Sequence, residues 1–306
     1  MAIAVRAPQV VHSGARETLI SARSRNLLDR YSLAARFLSR ESGERTAKEA
    51  GQSVEFHDFR SYQPGDELRY VDWNAYARTG RLYTRLHQAE RTIRLHLLLD
   101  VSRSMRVGGK GAYAERLAQL LAYVGQRDAR SQVHLSDGKH GRPVRGLRNI
   151  GESWDLIESA SALKEGPLPT VAIRDFALNG PSEPGAALVL VLSDLLEEGP
   201  LRPALTALRA RGLDASFLQV MAAEDLEPEA GRLELIDSES GEKLEVTVSE
   251  ARAYRRAVRD FVARRRSEIL EAGFRHVLLR VPEASGEELE REAFAALLRA
   301  GILEKR

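Results

Sequence analysis

From about residue 92 to the end of this 306-residue chain, short apolar runs alternate with amphipathic stretches, and no other feature narrows the possible fold as far. Ile93 to Leu99 reads as a buried strand and Tyr113 to Tyr123 as an amphipathic helix. Val133 to Ser136 and Val144 to Leu147 read as a short strand pair. Trp154 to Leu163 and Val171 to Leu178 read as helical, and Ala187 to Leu192 as a second buried strand. A helix over Leu201 to Arg211, a strand over Ala215 to Val220, a strand over His276 to Val281 and a helix over Glu287 to Leu298 complete the series. Strands apolar on both faces and separated by helices specify an α/β, doubly wound, mainly parallel sheet with helices on both faces. Leu233 to Ile236 and Leu244 to Val248 alternate around a polar turn, which predicts a β-hairpin insertion near 231–248. Ser249 is expected to cap a long helix carrying Tyr254, Val258, Phe261, Val262 and Ile269.

The segment ahead of this series has a different texture. Leu27, Leu28, Tyr31, Ala34, Ala35 and Leu38 recur at helical spacing, and Ser39 to Gly51 is polar. Residues 55–87 then mix aromatics with Arg and Asp around the turn Pro64-Gly65-Asp66. Val54 to Tyr62 and Arg81 to His87 have strand character. The expected division is therefore an appended helical and strand-containing segment over 1–90 and an α/β domain over 91–306.

Composition removes several classes of function. The chain has no cysteine, which excludes disulfides, thiolate metal sites and thiol nucleophiles. The longest apolar run, Ala186 to Leu192, falls far short of the roughly 20 residues that cross a bilayer. The N-terminus lacks a charged leader followed by an apolar stretch, so the cytoplasm is the expected location. A net charge of +2 predicts no strong attraction to nucleic acid.

Chemistry concentrates where the first buried strand ends. Leu97-Leu-Leu-Asp100-Val-Ser102-Arg-Ser104 runs from an apolar strand straight into Asp-x-Ser-x-Ser. Open parallel sheets bind ligands at the carboxyl ends of their strands. One carboxylate and two hydroxyls there are hard oxygen donors suited to Mg²⁺ or a similar divalent cation such as Mn²⁺. Two later positions reach the same edge: Thr170, just before a helix, and Ser193-Asp194, at the end of the strongest strand.

Asp100, Ser102, Ser104, Thr170 and Asp194 together resemble the metal-ion-dependent adhesion site of von Willebrand factor A domains. The resemblance implies direct or nearly direct coordination by the serines and threonine, aspartates acting directly or through water, and a partner's carboxylate completing the shell. Thr170 follows Gly166-Pro-Leu-Pro instead of the family's Gly-rich approach, and a helix N-cap is an alternative role for it.

A second resemblance rests on Glu55-Phe56, Asp58, Arg60, Tyr62, Pro64-Gly65-Asp66, Arg69, Asp72-Trp73 and Ala77-Arg78. These are similar to the signature of a bacterial family, domain-of-unknown-function family number fifty-eight. Its members carry this block ahead of a von Willebrand factor A-like fold. Membership implies a partnership with a MoxR-type AAA+ ATPase, and the chain resembles the family's short form without a membrane anchor. On physical grounds, Asp58, Arg60, Asp66, Arg69, Asp72 and Arg78 are expected to form a charge-assisted network, with Trp73 and Tyr62 as apolar anchors.

Catalytic signatures are missing. Ser102 and Ser104 lie in no G-x-S-x-G elbow, the histidines lack H-E-x-x-H spacing, and Gly108-Gly109-Lys110-Gly111 lacks the spacing of a phosphate loop. The arginines of the long helix, Arg252 to Arg266, read as a solvated face. The function expected is a non-catalytic, metal-dependent protein-binding module, an adaptor in which Arg103, Arg106 and Lys110 steer an acidic partner surface. The alternatives are a Mg²⁺-dependent hydrolase using the same ion, for which no adjacent general base is visible, and a scaffold whose metal loop is empty.

Overall fold

The computed structural model describes residues 22–34, 56–64, 68, 71–87, 94–162, 166–181, 187–197, 199–227, 233–236, 243–246, 248–282 and 287–306. The chain divides into two compact units, 1–38 together with 93–306, and 39–92. α1 (Ala22–Leu28) and β1 (Tyr31–Leu33) belong to the larger.

In the smaller unit β2 (Phe56–Ser61) pairs antiparallel with β3 (Tyr83–His87), and α2 (Trp73–Thr79) lies between them in sequence. Asp72 starts that helix: its Oδ1 accepts the backbone N–H of Asn74 at 3.0 Å and of Ala75 at 2.9 Å. Two donors with no partner inside the helix are thereby satisfied. Of the expected charge network, Asp72 is thus a helix cap and Arg78 is exposed. Asp66, Arg69 and the side chains of Asp58 and Arg60 lie outside the described residues. Trp73, expected as an anchor, is 56% exposed and meets Tyr76 edge to face, while Tyr62 is half-buried.

The larger unit is a five-stranded, wholly parallel sheet built from β4 (Arg94–Leu99), β5 (Arg130–Leu135), β6 (Ala187–Ser193), β7 (Asp214–Met221) and β10 (Arg275–Arg280), in the order β10-β7-β6-β4-β5. Helices α3 (Lys110–Asp128), α4 (Ile150–Glu158), α5 (Pro169–Asn179), α6 (Arg202–Ala210), the single turn α7 (Ala223–Leu226), α8 (Val248–Glu271) and α9 (Glu287–Arg299) connect or follow the strands. Side chains alternate between the faces of a strand. Leu95, Leu97 and Leu99 therefore enter one core with Leu117 and Leu121 of α3, Trp154 of α4 and Phe294 of α9. Leu98 enters the opposite core with Phe176 of α5, Leu205 of α6 and Ile269 of α8. Both faces are covered, which is why these strands read as continuous apolar runs. β8 (Leu233–Ile236) and β9 (Lys243–Val246) form the expected antiparallel hairpin.

Several local expectations are corrected. Tyr31 is not helical: β1 pairs antiparallel with β11 (Leu303–Lys305), and Leu28 and Leu33 enter the main core. The boundary expected near residue 90 therefore does not isolate the N-terminus, because this pairing ties residues 31–33 to the C-terminal end. Ala35 and Leu38 lie outside the described residues. Val144 makes only one bridge, to Ser131, and Leu147 opens a 3₁₀ turn. Ser249 is the second residue of α8, which begins at Val248.

Histidines distant in sequence meet in the second core. His96 Nδ1 lies 3.1 Å from His134 Nε2, and both rings contact Phe176. Burial, then the neighbouring His96 and His140, push His134 down to about 3.

Candidate metal centre at the strand ends

The sheet order contains one reversal. From β4 the chain moves outward to β5, then returns to place β6 on the other side of β4. Loops leaving β4 and β6 diverge at such a switch point and leave a crevice at the carboxyl ends of the strands. Leu99 of β4 is in register with Leu192 of β6, so Asp100 and Ser193 emerge side by side.

Asp100 is held from several directions. Its backbone N–H donates to the Leu192 carbonyl at 2.9 Å. Its Oδ1 accepts the Ser102 backbone N–H at 2.8 Å and its Oδ2 accepts the Ser193 hydroxyl at 2.6 Å. The next residue is fixed as well, since the Val101 N–H donates to Ser136 Oγ at 2.9 Å. Ser102 Oγ and Ser104 Oγ are 3.1 Å apart. Asp100, Ser102, Ser104 and Asp194 are all buried.

Burial raises the Asp100 carboxyl to about 6, and the neighbouring Asp194 adds to the rise; the Ser193 and Ser102 hydrogen bonds oppose it. The ionised form is thus under electrostatic pressure that a nearby cation would relieve. The spacing also suits a hard cation, since ligands at right angles on an octahedron with bonds of about 2.1 Å lie about 3 Å apart, close to the separation of the two hydroxyls. Among the described residues no three His, Asp or Glu side chains converge as a ligand set. The donors present for an ion are one carboxylate with two hydroxyls and, alongside, the Ser193-Asp194 turn.

That turn is strained. Leu195 has φ 53°, a left-handed conformation uncommon for a residue with a side chain, yet it is buried. Its N–H donates to Ser193 Oγ at 3.0 Å, the Leu196 N–H donates to Asp194 Oδ1 at 3.2 Å, and Gln219 Nε2 donates to the Asp194 carbonyl at 2.8 Å. These bonds hold the turn in place.

Thr170 is placed differently from the expectation. The N-cap of α5 is Leu168, with Pro169 in the first turn, so Thr170 lies inside the helix and does not cap it. Its backbone N–H donates to Glu197 Oε1 at 2.7 Å. The preceding loop lies on the Asp100 loop: a Cβ on Gly166 would stand 3.0 Å from the Val101 carbonyl oxygen, so only glycine fits without displacement.

Three neighbours escaped sequence reasoning. Glu197 is raised to about 7, chiefly by burial; the Thr170 N–H and Arg265 oppose the rise, and Asp100 and Asp194 add to it. Nothing in Leu195-Leu-Glu-Glu distinguishes this carboxylate from a solvated one. Arg265, read as part of a solvated face, is instead 5% exposed and donates to the backbone carbonyls of Glu197 and Gly199. Arg252, Arg256, Arg259, Arg264 and Arg266 are exposed as expected. Lys110, expected to steer a partner, is fully buried, with Nζ 2.8 Å from Asp194 Oδ2 and 2.9 Å from Asp225 Oδ2. Burial works against its charge, but the two carboxylates outweigh it and raise the ammonium above its ordinary value. Arg103 and Arg106 are exposed. The only cue to Lys110 in the sequence is Gly108-Gly109. Gly108 has φ 62°, and a Cβ there would stand 2.3 Å from Ala222 Cβ. The turn is thereby pressed onto the end of β7, where Asp225 follows.

An uncharacterized protein of Mycobacterium tuberculosis and one of Mycobacterium bovis are each 27% identical to this chain over 213 residues, covering 66% of it and 66% of their own length. Among solved structures, the chain is similar to an aerotolerance-related membrane protein from Bacteroides fragilis (17% identity, 68% of this chain and 98% of that one, TM-score 0.43). It is also similar to proximal thread matrix protein 1 from the mussel byssus (12% identity, 44% and 39%, TM-score 0.32). Among the described residues, no helix is long and apolar enough to cross a membrane. The model of the family described as "Protein of unknown function DUF58" matches residues 58–141 and 168–268, more than half of the sequence and spanning both the Arg-Asp block and the strand-end loops, and the chain belongs to that family.

Proposed function

We propose that the chain is a von Willebrand factor A-like, non-catalytic binding module that uses a divalent cation, Mg²⁺ or Mn²⁺, to grip a carboxylate of another protein. The observation that carries this reading is the Asp100 carboxylate bonded to Ser102 and Ser193, with the Ser102 and Ser104 hydroxyls 3.1 Å apart, at the switch point of a parallel sheet. Asp100, Ser102 and Ser104 would hold the ion, Asp194 would act through water, and Thr170 would complete the rim beside Glu197. A bound cation supplies a Lewis-acidic centre with positions open to an incoming oxygen ligand. Exposed Arg103 and Arg106 would favour the approach of an acidic surface. The partner we propose is a MoxR-type AAA+ ATPase or its client, with the chain as adaptor or co-chaperone. The test is binding of a purified MoxR-type ATPase from the same genome to the immobilised chain. Retention in Mg²⁺, with loss in chelator and in Asp100→Ala and Ser102→Ala, is the expected result. Equal retention in all four conditions contradicts the metal-bridged mechanism.

One observation favours a second reading, a metal-dependent hydrolase. Glu197, raised to about 7 chiefly by burial and held by the Thr170 N–H at 2.7 Å, would supply a general base suited to neutral pH. Metal-dependent turnover of phosphoesters or peptides that Glu197→Gln abolishes would replace the adaptor by an enzyme.

A further inference from the structure

Lys110 has no exposure at all, and it stands at the first residue of α3. Helix N-termini carry partial positive charge, so an ammonium there gains nothing from the helix. Its placement is specific nonetheless. The left-handed Gly108 and Gly109 turn delivers it between the ends of β6 and β7, where Asp194 and Asp225 close on it at 2.8 and 2.9 Å. Both acids are also fixed by backbone donors, Asp194 Oδ1 by Leu196 and Asp225 Oδ2 by Ala222 at 3.1 Å. Neither can swing away from the ammonium without breaking that bond.

We propose that Lys110 is a built-in cation that sets the charge of the strand-end site, engaging Asp194 so that it stands back from a divalent ion at Asp100, Ser102 and Ser104 and limits how tightly the ion is held. This deepens the metal-binding reading above and rests on it. Asp100, Asp194 and Asp225 set against the Lys110 ammonium leave two negative charges, with Glu197 and Arg265 of opposite sign beside them, and a single divalent cation neutralises the two. Without Lys110 the same pocket carries a third uncompensated charge and attracts cations more strongly. Without Asp225, the ammonium bears on Asp194 alone and the attraction falls. The arrangement keeps the ion exchangeable, as reversible capture of a partner requires.

The experiment is titration of Mn²⁺ into the full chain, following free Mn²⁺ by electron paramagnetic resonance, for wild type, Lys110→Gln, Asp225→Asn and the double variant. Circular dichroism checks the fold of each. Lys110→Gln is expected to bind about tenfold or more tightly than wild type, and Asp225→Asn about tenfold more weakly. The double variant, which restores the net charge, is expected near wild type. Should Lys110→Gln fail to fold, Asp225→Asn and the double variant carry the comparison. Folded variants that all bind with wild-type affinity overturn the charge-setting role and leave the metal site standing. Absence of Mn²⁺ binding in wild type and every variant overturns the metal reading itself, and this inference with it. Binding that appears only when Lys110 is replaced overturns the proposal that the wild-type pocket holds an exchangeable ion.

Discussion

The Ser193 hydroxyl donates to Asp100 Oδ2 across 2.6 Å and thereby joins the ends of two neighbouring parallel strands through side chains. The same oxygen accepts the N–H of the strained Leu195. One hydroxyl thus orients the central carboxylate and supports the turn that carries Asp194. Ser193→Ala leaves a buried N–H without its acceptor and Asp100 without a donor, which costs about 1 to 3 kcal/mol. Urea denaturation measures the loss, and an unchanged midpoint would show that the turn stands without this bond.

Metal affinity is expected to depend on pH through Asp100. Its carboxyl titrates near 6, so protons compete with the cation below that value. Affinity for Mg²⁺ is expected to fall about tenfold between pH 7.5 and pH 5. Calorimetry at the two values measures the change, and equal affinities would mean that Asp100 does not bind the ion in its ionised form.

His134 responds to acid in the same direction but through the fold alone. Its folded value, about 3, lies below that of the unfolded chain, so its contribution is present above pH 6.5 and is lost as pH falls through that range. Between pH 7 and pH 5 this group is expected to cost about 2 kcal/mol of stability. The stability of His134→Gln should decline less than that of wild type over the same interval. Parallel declines would assign the acid sensitivity elsewhere.

Arg265 clamps the loop after β6 by bonding to the Glu197 and Gly199 carbonyls while its guanidinium lies 4.9 Å from the Phe261 ring centroid. Lysine preserves the charge but not the planar fork that reaches both carbonyls. Arg265→Lys is expected to lose about 1.5 to 3 kcal/mol of stability. Thermal unfolding supplies the measurement, and an unaltered melting temperature would return Arg265 to the solvated face first expected of it.

In the smaller unit the role of Asp72 sets a moderate expectation. Loss of its two cap bonds alone costs about 0.5 to 2 kcal/mol, so Asp72→Ala is expected to lose at least that much. Denaturant titration measures the loss, and an unchanged midpoint would show that α2 starts without this cap.

The strand-helix alternation was legible because burial on both faces makes each strand a continuous apolar run, as in Leu97 to Leu99 and Ala187 to Leu192. The meeting of Asp100 with Ser193 was legible too, since both end such runs on what became adjacent strands. β1 was not, because its three residues depend on pairing with β11, more than 260 positions away, and local periodicity imitates a helix there. Lys110 and Glu197 were hidden for a related reason. A charged residue in a polar loop looks the same whether water or carboxylates surround it, and for Lys110 only the packing of Gly108 on Ala222 decides which.

Calorimetric titration of Mg²⁺ into the metal-free chain, beside Asp100→Ala and Ser104→Ala, tests the central claim most directly. The account predicts one chelator-reversible site in the wild type, lost in both variants while the fold survives. A folded wild-type chain that takes up no Mg²⁺ or Mn²⁺, or variants that bind as well as wild type, would contradict it.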